Sequence, residues 1–334
     1  MCTSIRVISK EGKVIFGRTQ EYMLPLPYVG VSVPKGTRLT NTMTPIDFKH
    51  QAVGVCYDGE PFGVEGVLFA DGMNSAGIGA SMQYFSDYCV YGKEEAIVAQ
   101  GKKAYRGEEF ITWVLATIGS IDELIEKLET EIDLCDKLNN LGKSDPLHFN
   151  VTDSYGRSVV IEHTSETGGF DIHENEVGTM TNHPTYDWHL TNLSNYAGMQ
   201  TPLLKEIVLG KATVPSAGKG SGMFGLPGDF TSASRFVRAT YLNNLSNTVT
   251  HDKGIDKFFH IMNQFDIPDG VFDLQDGTDY VYHTQYTSAY DLANKEMYVS
   301  MNGNRQLQKI EMVEVECLKK YKFKMTQSID VISN

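Results

Sequence analysis

The first regular pattern in the chain is an alternation of apolar and polar residues that predicts a β-hairpin at the amino terminus. Ser4–Ile8 is the first predicted strand, residues 10–13 form the turn, and Val14–Thr19 is the second strand. An antiparallel hairpin brings its two ends together. We therefore expect Arg18 and Glu21 to lie near the start of the chain.

Strand-like and helix-like blocks alternate along the rest of the chain, as in layered α+β proteins with mostly antiparallel sheets. No internal repeat or linker separates them, so we expect one domain over residues 1–334. Predicted strands cover residues 28–33, 52–57, 66–74, 77–84, 148–152, 158–162, 280–287, 296–301 and 310–315. Predicted helices cover residues 108–118, 121–138, 232–245 and 256–265.

One of these helices has a recognisable start. Ser120 and Glu123 match the Ser-x-x-Glu capping box, and apolar residues recur at helical spacing from Ile121 to Leu138. Cys135 falls on the apolar face of this pattern, so we expect it to be a core residue.

Composition and charge narrow the class of protein. The 334 residues are 41% hydrophobic, which is sufficient for a sizeable core. The formal net charge is −13 and no basic run occurs, so no nucleic-acid partner is expected. Charged residues interrupt residues 1–15, and no stretch of about 18 apolar residues occurs. We therefore expect neither a signal peptide nor a membrane span.

The cysteines are odd in number and widely spaced. No Cys-x-x-Cys pair occurs, so neither a zinc site nor a disulfide framework is indicated. Scattered cysteines of this kind fit a reducing compartment, and we expect a cytoplasmic protein. The five are Cys2, Cys56, Cys89, Cys135 and Cys317.

The second residue carries the clearest chemical signal. If Met1 is removed, Cys2 carries both a thiol and a free α-amine. A thiol titrates near ~8.5 and an α-amine near ~7.7–8.0, so part of the amine is unprotonated near neutral pH. The amine can then accept the thiol proton without a separate histidine base. Taken alone, Cys2 also fits an incidental residue at a frayed terminus.

Two other patterns match binding motifs only in part. Gly220–Gly225 matches G-x-G-x-x-G, but Pro227 follows at once and no strand precedes it, so we expect a loop. His183, Asp187 and His189 carry metal-binding groups, but their spacing is no known ligand pattern. We therefore expect no cofactor and no metal.

Two further polar residues, Asn182 and Arg235, fit ordinary structural roles, and Asn182 also has a chemical interpretation. Asn182 precedes His183-Pro184 and fits a turn asparagine. Its amide N–H would also suit the developing oxyanion of amide hydrolysis. Arg235, near the start of a predicted helix, is on its own an ordinary solvated arginine.

Four segments together resemble the choloylglycine hydrolase and penicillin V acylase family, the linear-amide branch of the N-terminal-nucleophile hydrolases. They occur in family order at family-like separations, and the resemblance spans essentially the whole chain. The four segments are Met1–Ser4, Gly17–Tyr22, Met180–Leu193 and Gly225–Phe236. The last two of them are specific to the family.

The resemblance implies roles for three residues around the terminal amine. Cys2 resembles the nucleophile whose own α-amine is the base. Arg18 resembles the arginine beside the thiol, where a cation favours the thiolate. Glu21 stands where the family usually has an aspartate that contacts the terminal amine. Its extra methylene is a departure that shifts the amine or marks a subgroup with different activity.

The resemblance also implies three residues that stabilise the reaction. Tyr84 aligns with the position whose backbone N–H helps to form the oxyanion hole. Asn182 resembles the side-chain donor to the oxyanion, and Arg235 resembles the second active-site arginine. A tyrosine at position 84 is more typical of penicillin V acylases, whereas bile salt hydrolases often have asparagine there.

The family fold is a four-layer αββα sandwich with antiparallel sheets, commonly a homotetramer that needs no cofactor. The implied activity is hydrolysis of a linear amide in a small-molecule substrate, with a penicillin V acylase-like specificity favoured by Tyr84. Conjugated bile acids and N-acyl homoserine lactones are the alternatives. A non-catalytic binding homologue is the alternative from another class, if Met1 is retained or Glu21 prevents the amine from acting.

Overall fold

The computed structural model describes residues 1–24, 26–58, 67–139, 142–165, 169–271 and 281–328. Gly66 and Tyr280, at the ends of two predicted strands, lie outside these ranges. Among the described helices, none has the length and apolar character needed to cross a membrane.

The described residues form twenty strands and six α-helices. In chain order the strands are β1 (Cys2–Ile8), β2 (Val14–Tyr22), β3 (Tyr28–Val33), β4 (Arg38–Leu39), β5 (Ile46–Asp47), β6 (Ala52–Tyr57), β7 (Phe69–Asn74), β8 (Ile78–Tyr84), β9 (Lys103–Tyr105), β10 (Ile132–Leu134), β11 (Leu147–Asp153), β12 (Ser158–Glu162), β13 (Asp171–Glu174), β14 (Thr179–Met180), β15 (Ile207–Leu209), β16 (Ala212–Val214), β17 (His283–Asp291), β18 (Glu296–Met301), β19 (Asn304–Glu311) and β20 (Lys319–Lys322). The helices are α1 (Glu94–Ala99), α2 (Phe110–Thr117), α3 (Ile121–Thr130), α4 (Tyr186–Asn192), α5 (Ser232–Leu245) and α6 (Gly254–Met262).

Two large antiparallel sheets dominate the structure. The six-stranded sheet has the order β14-β1-β2-β17-β18-β19, and the eight-stranded sheet has the order β13-β12-β11-β8-β7-β6-β3-β20. Three two-stranded pairs, β4-β5, β9-β10 and β15-β16, lie outside them. The strands of the predicted amino-terminal hairpin, β1 and β2, are adjacent near the centre of the six-stranded sheet.

Three apolar cores separate four layers. Helices α2 and α3 pack on the eight-stranded sheet, and α5 and α6 pack on the six-stranded sheet. Between the sheets, Phe16 and Tyr290 from one face meet Val53 and Met73 from the other. This is the order α, β, β, α, so the four-layer sandwich expected from the resemblance is confirmed.

The helix predicted over 121–138 ends earlier than its pattern indicated. Helix α3 stops at Thr130, because the next residues form β10 and pair in parallel with β9. Cys135 is buried as predicted, although it follows a strand rather than lying on a helix. Leu138, the last residue of the periodic pattern, is exposed. Strand pairing therefore overrode the helical periodicity after the first ten residues.

The start of α3 agrees with its predicted cap only in part. The Ser120 hydroxyl accepts a hydrogen bond from the Glu123 backbone N–H at 3.1 Å. The Glu123 carboxylate accepts from the Gly119 N–H at 2.7 Å instead of from Ser120. The Glu123 half of the capping box therefore binds the backbone of Gly119, one residue before the expected N–H of Ser120.

Candidate active site

The register of the first hairpin places Cys2 at the centre of the candidate site. In the β1–β2 pair, Cys2 is opposite Gln20 and Ser4 is opposite Arg18. On its other side β1 pairs with β14, which puts Ser4 opposite Met180. The Cys2 side chain is only 3% exposed. Residues from positions 18–21 and from just after Met180 thus converge on one cysteine.

Arg18 is fixed against the thiol. Its Nη2 lies 2.6 Å from Cys2 Sγ and also donates to Gln20 Oε1. Its remaining donors bind carbonyls, with Nη1 2.5 Å from Met82 O and Nε 3.1 Å from Thr19 O. Neutral acceptors therefore hold the guanidinium in place while it touches the sulfur.

The charge of Arg18 is retained in spite of complete burial. Burial by itself opposes the charged form. The Cys2 thiol, Tyr286 and Asp71 outweigh it and raise the pKa of Arg18 above its ordinary value. A permanent cation beside Sγ favours the thiolate over the thiol.

Asn182 links the backbone of Cys2 to the neighbouring arginine and to β8. Its Oδ1 accepts from the Cys2 N–H at 2.8 Å and from Arg235 Nη2 at 2.7 Å. Its Nδ2 donates to the Tyr84 carbonyl at 2.7 Å. Because Oδ1 faces two donors and Nδ2 faces an acceptor, the amide orientation is unambiguous. Asn182 therefore lies in a bend, as its ordinary interpretation expected, and is also a buried part of the site.

The main chain of Asn182 is also held on both sides. Its N–H donates to the Ser232 hydroxyl at 3.0 Å, and its carbonyl accepts from His189 Nε2 at 2.9 Å. Burial lowers the pKa of His189 to about 4, so this imidazole is neutral near pH 7. His189 thus serves as a hydrogen-bond donor to the Asn182 peptide.

Arg235 is a buried part of the same group and not a solvated helix arginine. It lies in the first turn of α5, where Nε donates to the Phe230 carbonyl at 2.9 Å. Its Nη1 donates to the Cys2 carbonyl and, at 2.9 Å, to Thr3 Oγ1. Burial lowers its pKa, while the nearby Glu21 carboxylate opposes that change. Arg235 therefore fixes the Cys2 backbone from the helix side.

Glu21 is buried with one carboxyl oxygen unpaired. Its Oε1 accepts from Thr284 Oγ1 at 3.0 Å, whereas Oε2 has no hydrogen-bond partner among the described residues. Burial raises the pKa of Glu21, with the terminal amine and Arg235 acting in the opposite direction. The Cys2 N–H donates to Asn182 Oδ1, and among the described residues the Glu21 carboxylate makes no hydrogen bond to that nitrogen.

Met1 is present in the structure, so the free amine belongs to Met1 and not to Cys2. Its amine donates to the Glu21 carbonyl at 3.0 Å, and its carbonyl accepts from the Glu21 N–H at 3.0 Å. Met1 therefore extends the β1–β2 ladder by one pair. Burial lowers the pKa of this amine.

Tyr84 contributes its backbone to the buried site and its ring to the surface. Its carbonyl accepts from Asn182, as above, and its side chain is 43% exposed at the end of β8. Tyr22 and Tyr282 lie near it, in an edge-to-face pair with ring centroids 6.4 Å apart. The three tyrosines thus form an aromatic cluster beside the buried site.

The residues considered as metal ligands have other partners. His183 Nδ1 lies 3.2 Å from Ser86 Oγ, and Asp187 accepts from the Thr185 hydroxyl at 2.5 Å. His189 binds the Asn182 peptide. Within the described ranges no three side chains of metal-binding type come together. The Gly220–Gly225 segment is a loop with a short 3-10 turn, as predicted.

Sequence reasoning missed two residues that contact Arg18. Gln20 could have been found, because the register that returns Arg18 to the terminus also puts Gln20 opposite Cys2. Asp71 lies 4.0 Å from Arg18 but belongs to the other sheet. No local pattern signals a contact between two sheets.

Comparison with known proteins identifies the family of the chain. Residues 2–325 match the family model described as linear amide C-N hydrolases, choloylglycine hydrolase family, which confirms the resemblance. The chain is 31% identical to the bile salt hydrolase/transferase of Clostridium perfringens, over 100% of both chains. It is 31% identical to that of Lactiplantibacillus plantarum, over 93% of this chain and 92% of the relative.

Solved structures of relatives superpose on the chain over nearly its whole length. A C2A mutant of the conjugated bile acid hydrolase from Clostridium perfringens superposes with a TM-score of 0.89 and 30% identity, covering 100% of both chains. The penicillin V acylase from Agrobacterium tumefaciens superposes with a TM-score of 0.75 at 18% identity, over 96% of this chain and 91% of the other. The second match shows the shared fold alone.

Replacing Glu21 by glutamine tests its buried charge. A carboxyl whose folded-state pKa is raised stabilises the fold below its unfolded pKa of ~4.3, and this contribution is lost as pH rises through the folded-state value. We therefore expect Glu21→Gln to raise the thermal unfolding midpoint near pH 7 by about 3 °C, with the gain vanishing near pH 4.

Circular dichroism melts at several pH values would measure this difference. Glu129→Gln, which removes an exposed carboxyl on α3, is the matched control and should leave the midpoint unchanged at every pH. A Glu21→Gln midpoint below that of the wild type at pH 7 would contradict the assignment of a raised pKa.

Proposed function

Because the chain belongs to the choloylglycine hydrolase family of linear amide C–N hydrolases, we propose that it cleaves conjugated bile acid amides with Cys2 as nucleophile. One observation carries this proposal: Arg18 Nη2 lies 2.6 Å from Cys2 Sγ in a buried site. Asn182 and Arg235 bind the backbone of the same cysteine. A nucleophile held by fixed cations and an amide suits acyl transfer.

Removal of Met1 is the first step in this proposal. The Cys2 nitrogen, now an amide 2.8 Å from Asn182 Oδ1, then becomes an α-amine on the residue that carries the thiol. Loss of Met1 also frees the main-chain groups of Glu21 that it occupies. The unpaired Glu21 Oε2 then offers an acceptor for the new amine, as the aspartate does in the family pattern.

The reaction proceeds through a thioester on Cys2. The α-amine accepts the thiol proton, and Sγ attacks the substrate carbonyl to give a tetrahedral oxyanion. One N–H of the Asn182 amide is bound to Tyr84, which leaves its second N–H for the oxyanion, beside the Tyr84 backbone N–H. Collapse expels the amine, which takes the proton from the α-ammonium. Water then attacks the thioester and releases the acid.

Two observations bear on the substrate. The relatives at 31% identity over nearly the whole chain are named bile salt hydrolases, which supports a conjugated bile acid. The residue at position 84 is a tyrosine, which the family resemblance associates with penicillin V acylases, so a phenoxyacetyl amide is the second candidate. N-acyl homoserine lactones are a further acyl amide of the same reaction type.

A side-by-side hydrolysis assay tests this function. We expect the wild type, with loss of Met1 verified by intact mass, to release glycine or taurine from conjugated bile acids faster than it hydrolyses penicillin V. Cys2→Ala should reduce turnover at least about a thousandfold, because it removes the nucleophile. The control Cys135→Ala removes a buried thiol outside the site and should retain activity.

Three results would contradict the proposal or its choice of substrate. Full activity of Cys2→Ala would exclude Cys2 as nucleophile. No turnover of any of these amides by a wild type that has lost Met1 would favour the non-catalytic alternative, while faster hydrolysis of penicillin V would select the second substrate.

We also propose that the protein is a homo-oligomer, a tetramer by family resemblance. The β15–β16 hairpin stands outside both large sheets with all six of its residues exposed. An isolated two-stranded hairpin is marginally stable in water, and contiguous exposed apolar surface is typical of interfaces. Nearby exposed residues are Leu203, Ile207, Val208, Leu209, Val214 and Phe224. We infer that a second copy covers this surface.

Sedimentation velocity would test the oligomer. We expect the wild type to sediment as an oligomer at micromolar concentration and Val208→Asp to shift it to a smaller species. Val98→Asp, which alters an exposed valine on α1, is the control and should not change the sedimentation coefficient. A monomeric wild type, or an oligomer unaffected by Val208→Asp, would contradict this surface assignment.

A cytoplasmic location completes the proposal. Each of the five cysteines carries a free thiol in the structure. Unpaired cysteines are typical of proteins kept in a reducing compartment.

A further inference from the structure

A second charged group contacts Arg18 from the opposite sheet. Asp71 Oδ2 lies 4.0 Å from Arg18 Nη1, while Nη2 of the same guanidinium lies 2.6 Å from Cys2 Sγ. Asp71 belongs to β7 of the eight-stranded sheet, and Arg18 belongs to β2 of the six-stranded sheet. One buried guanidinium thus lies between a carboxylate and a thiol.

Three hydroxyl groups hold the Asp71 carboxylate in place. Tyr286 Oη donates to Oδ2 at 2.6 Å, Ser288 Oγ donates to Oδ1 at 2.7 Å, and Tyr290 Oη also donates to Oδ1. Burial and the Asp71 charge raise the pKa of both tyrosines well above the usual value, so their hydroxyls keep their protons. The donors are neutral, so Arg18 is the cation that faces this carboxylate.

We propose that Asp71 is a positioning residue that sets how strongly Arg18 acts on the Cys2 thiol. Asp71 and the sulfur face different nitrogens of one guanidinium, so a stronger pairing with one weakens the field of Arg18 at the other. The hydroxyl of Tyr286 binds Oδ2, the oxygen nearest Arg18, and therefore limits its pairing with the guanidinium. This inference rests on the proposed role of Cys2 as nucleophile.

Other charged and titratable groups surround this pair. Apart from Tyr286, which one variant replaces, they stay unchanged in the variants below, so a difference between variants reports on Asp71 and its hydroxyl partner. The groups facing the thiol or Arg18 are the Met1 amine (the Cys2 amine after processing), Glu21, Arg235, Tyr28, Tyr282 and Tyr286.

Two variants test the proposal through shifts in opposite directions. The readout is the rate of alkylation of Cys2 by iodoacetamide as a function of pH, measured on the amino-terminal peptide by mass spectrometry. Asp71→Asn removes the competing charge, so the midpoint should move to lower pH by about one unit, a tenfold change in the equilibrium. Tyr286→Phe frees Oδ2 for Arg18, so the midpoint should move to higher pH.

Asp291→Asn is the matched control. It removes another buried carboxylate, at the end of β17 in the six-stranded sheet, which pairs with His251 Nε2 at 2.8 Å, and it should leave the profile unchanged. If Asp71 serves folding alone, the variants will melt earlier but their profiles will coincide with that of the wild type, which would overturn the proposal. Shifts in the same direction would also overturn it.

The test remains decisive if Asp71→Asn does not fold. Tyr286→Phe keeps the carboxylate, and its profile alone must then move to higher pH for the proposal to stand. Alkylation requires no substrate turnover. A failure of the proposed amide hydrolysis and a failure of this inference are therefore distinguishable.

Discussion

The pairing of the first two strands is the interaction on which the rest of the site depends. It holds the Cys2 thiol against the Arg18 guanidinium, because an antiparallel register that puts Ser4 opposite Arg18 also returns β2 to the terminus. A slip of one residue would turn each of these side chains to the other face of the sheet. The position of β1 between β14 and β2 then brings Asn182 to the same cysteine from the other side.

Burial makes the electrostatics of this site strong and also costly. Arg18, Arg235 and Glu21 are all nearly inaccessible to solvent. Uncompensated buried charges destabilise a fold, so each needs fixed partners. The two arginines have them in backbone carbonyls and in Asn182, whereas Glu21 keeps one oxygen unpaired. The site is thus pre-organised for one more positive or hydrogen-bonding group, which the amine of processed Cys2 can supply.

Much of this arrangement is visible in the sequence, because it depends on local patterns. Alternation over the first strands predicts the hairpin, and the hairpin brings Arg18 to Cys2. The family-like segments around Asn182 and Arg235 identify two residues that would otherwise pass for a turn asparagine and a surface arginine. Contacts between sheets follow no such pattern. The three hydroxyl donors lie on β17, next to β2 in the sheet of Arg18, and only the stacking of the two sheets brings Asp71 to them and to Arg18.

Apolar spacing along the chain predicts where a helix begins better than where it ends. The apolar spacing after Ile121 continues through Cys135, yet the helix ends at Thr130 where pairing with β9 begins. Asn182 shows a related limit at the level of single atoms. The sequence indicates an amide donor, but one of its N–H groups binds the Tyr84 carbonyl, which leaves one for a ligand.

The central claim is that acyl transfer proceeds through the sulfur of an amino-terminal cysteine. Rapid acid quenching of the protein during turnover of a conjugated bile acid, followed by peptide mass spectrometry, tests it most directly. We expect a peptide that begins at Cys2 and carries the bile acyl group as a thioester on that residue. Release of the free amine with the acyl group on another residue, or on a chain that still begins with Met1, would contradict it.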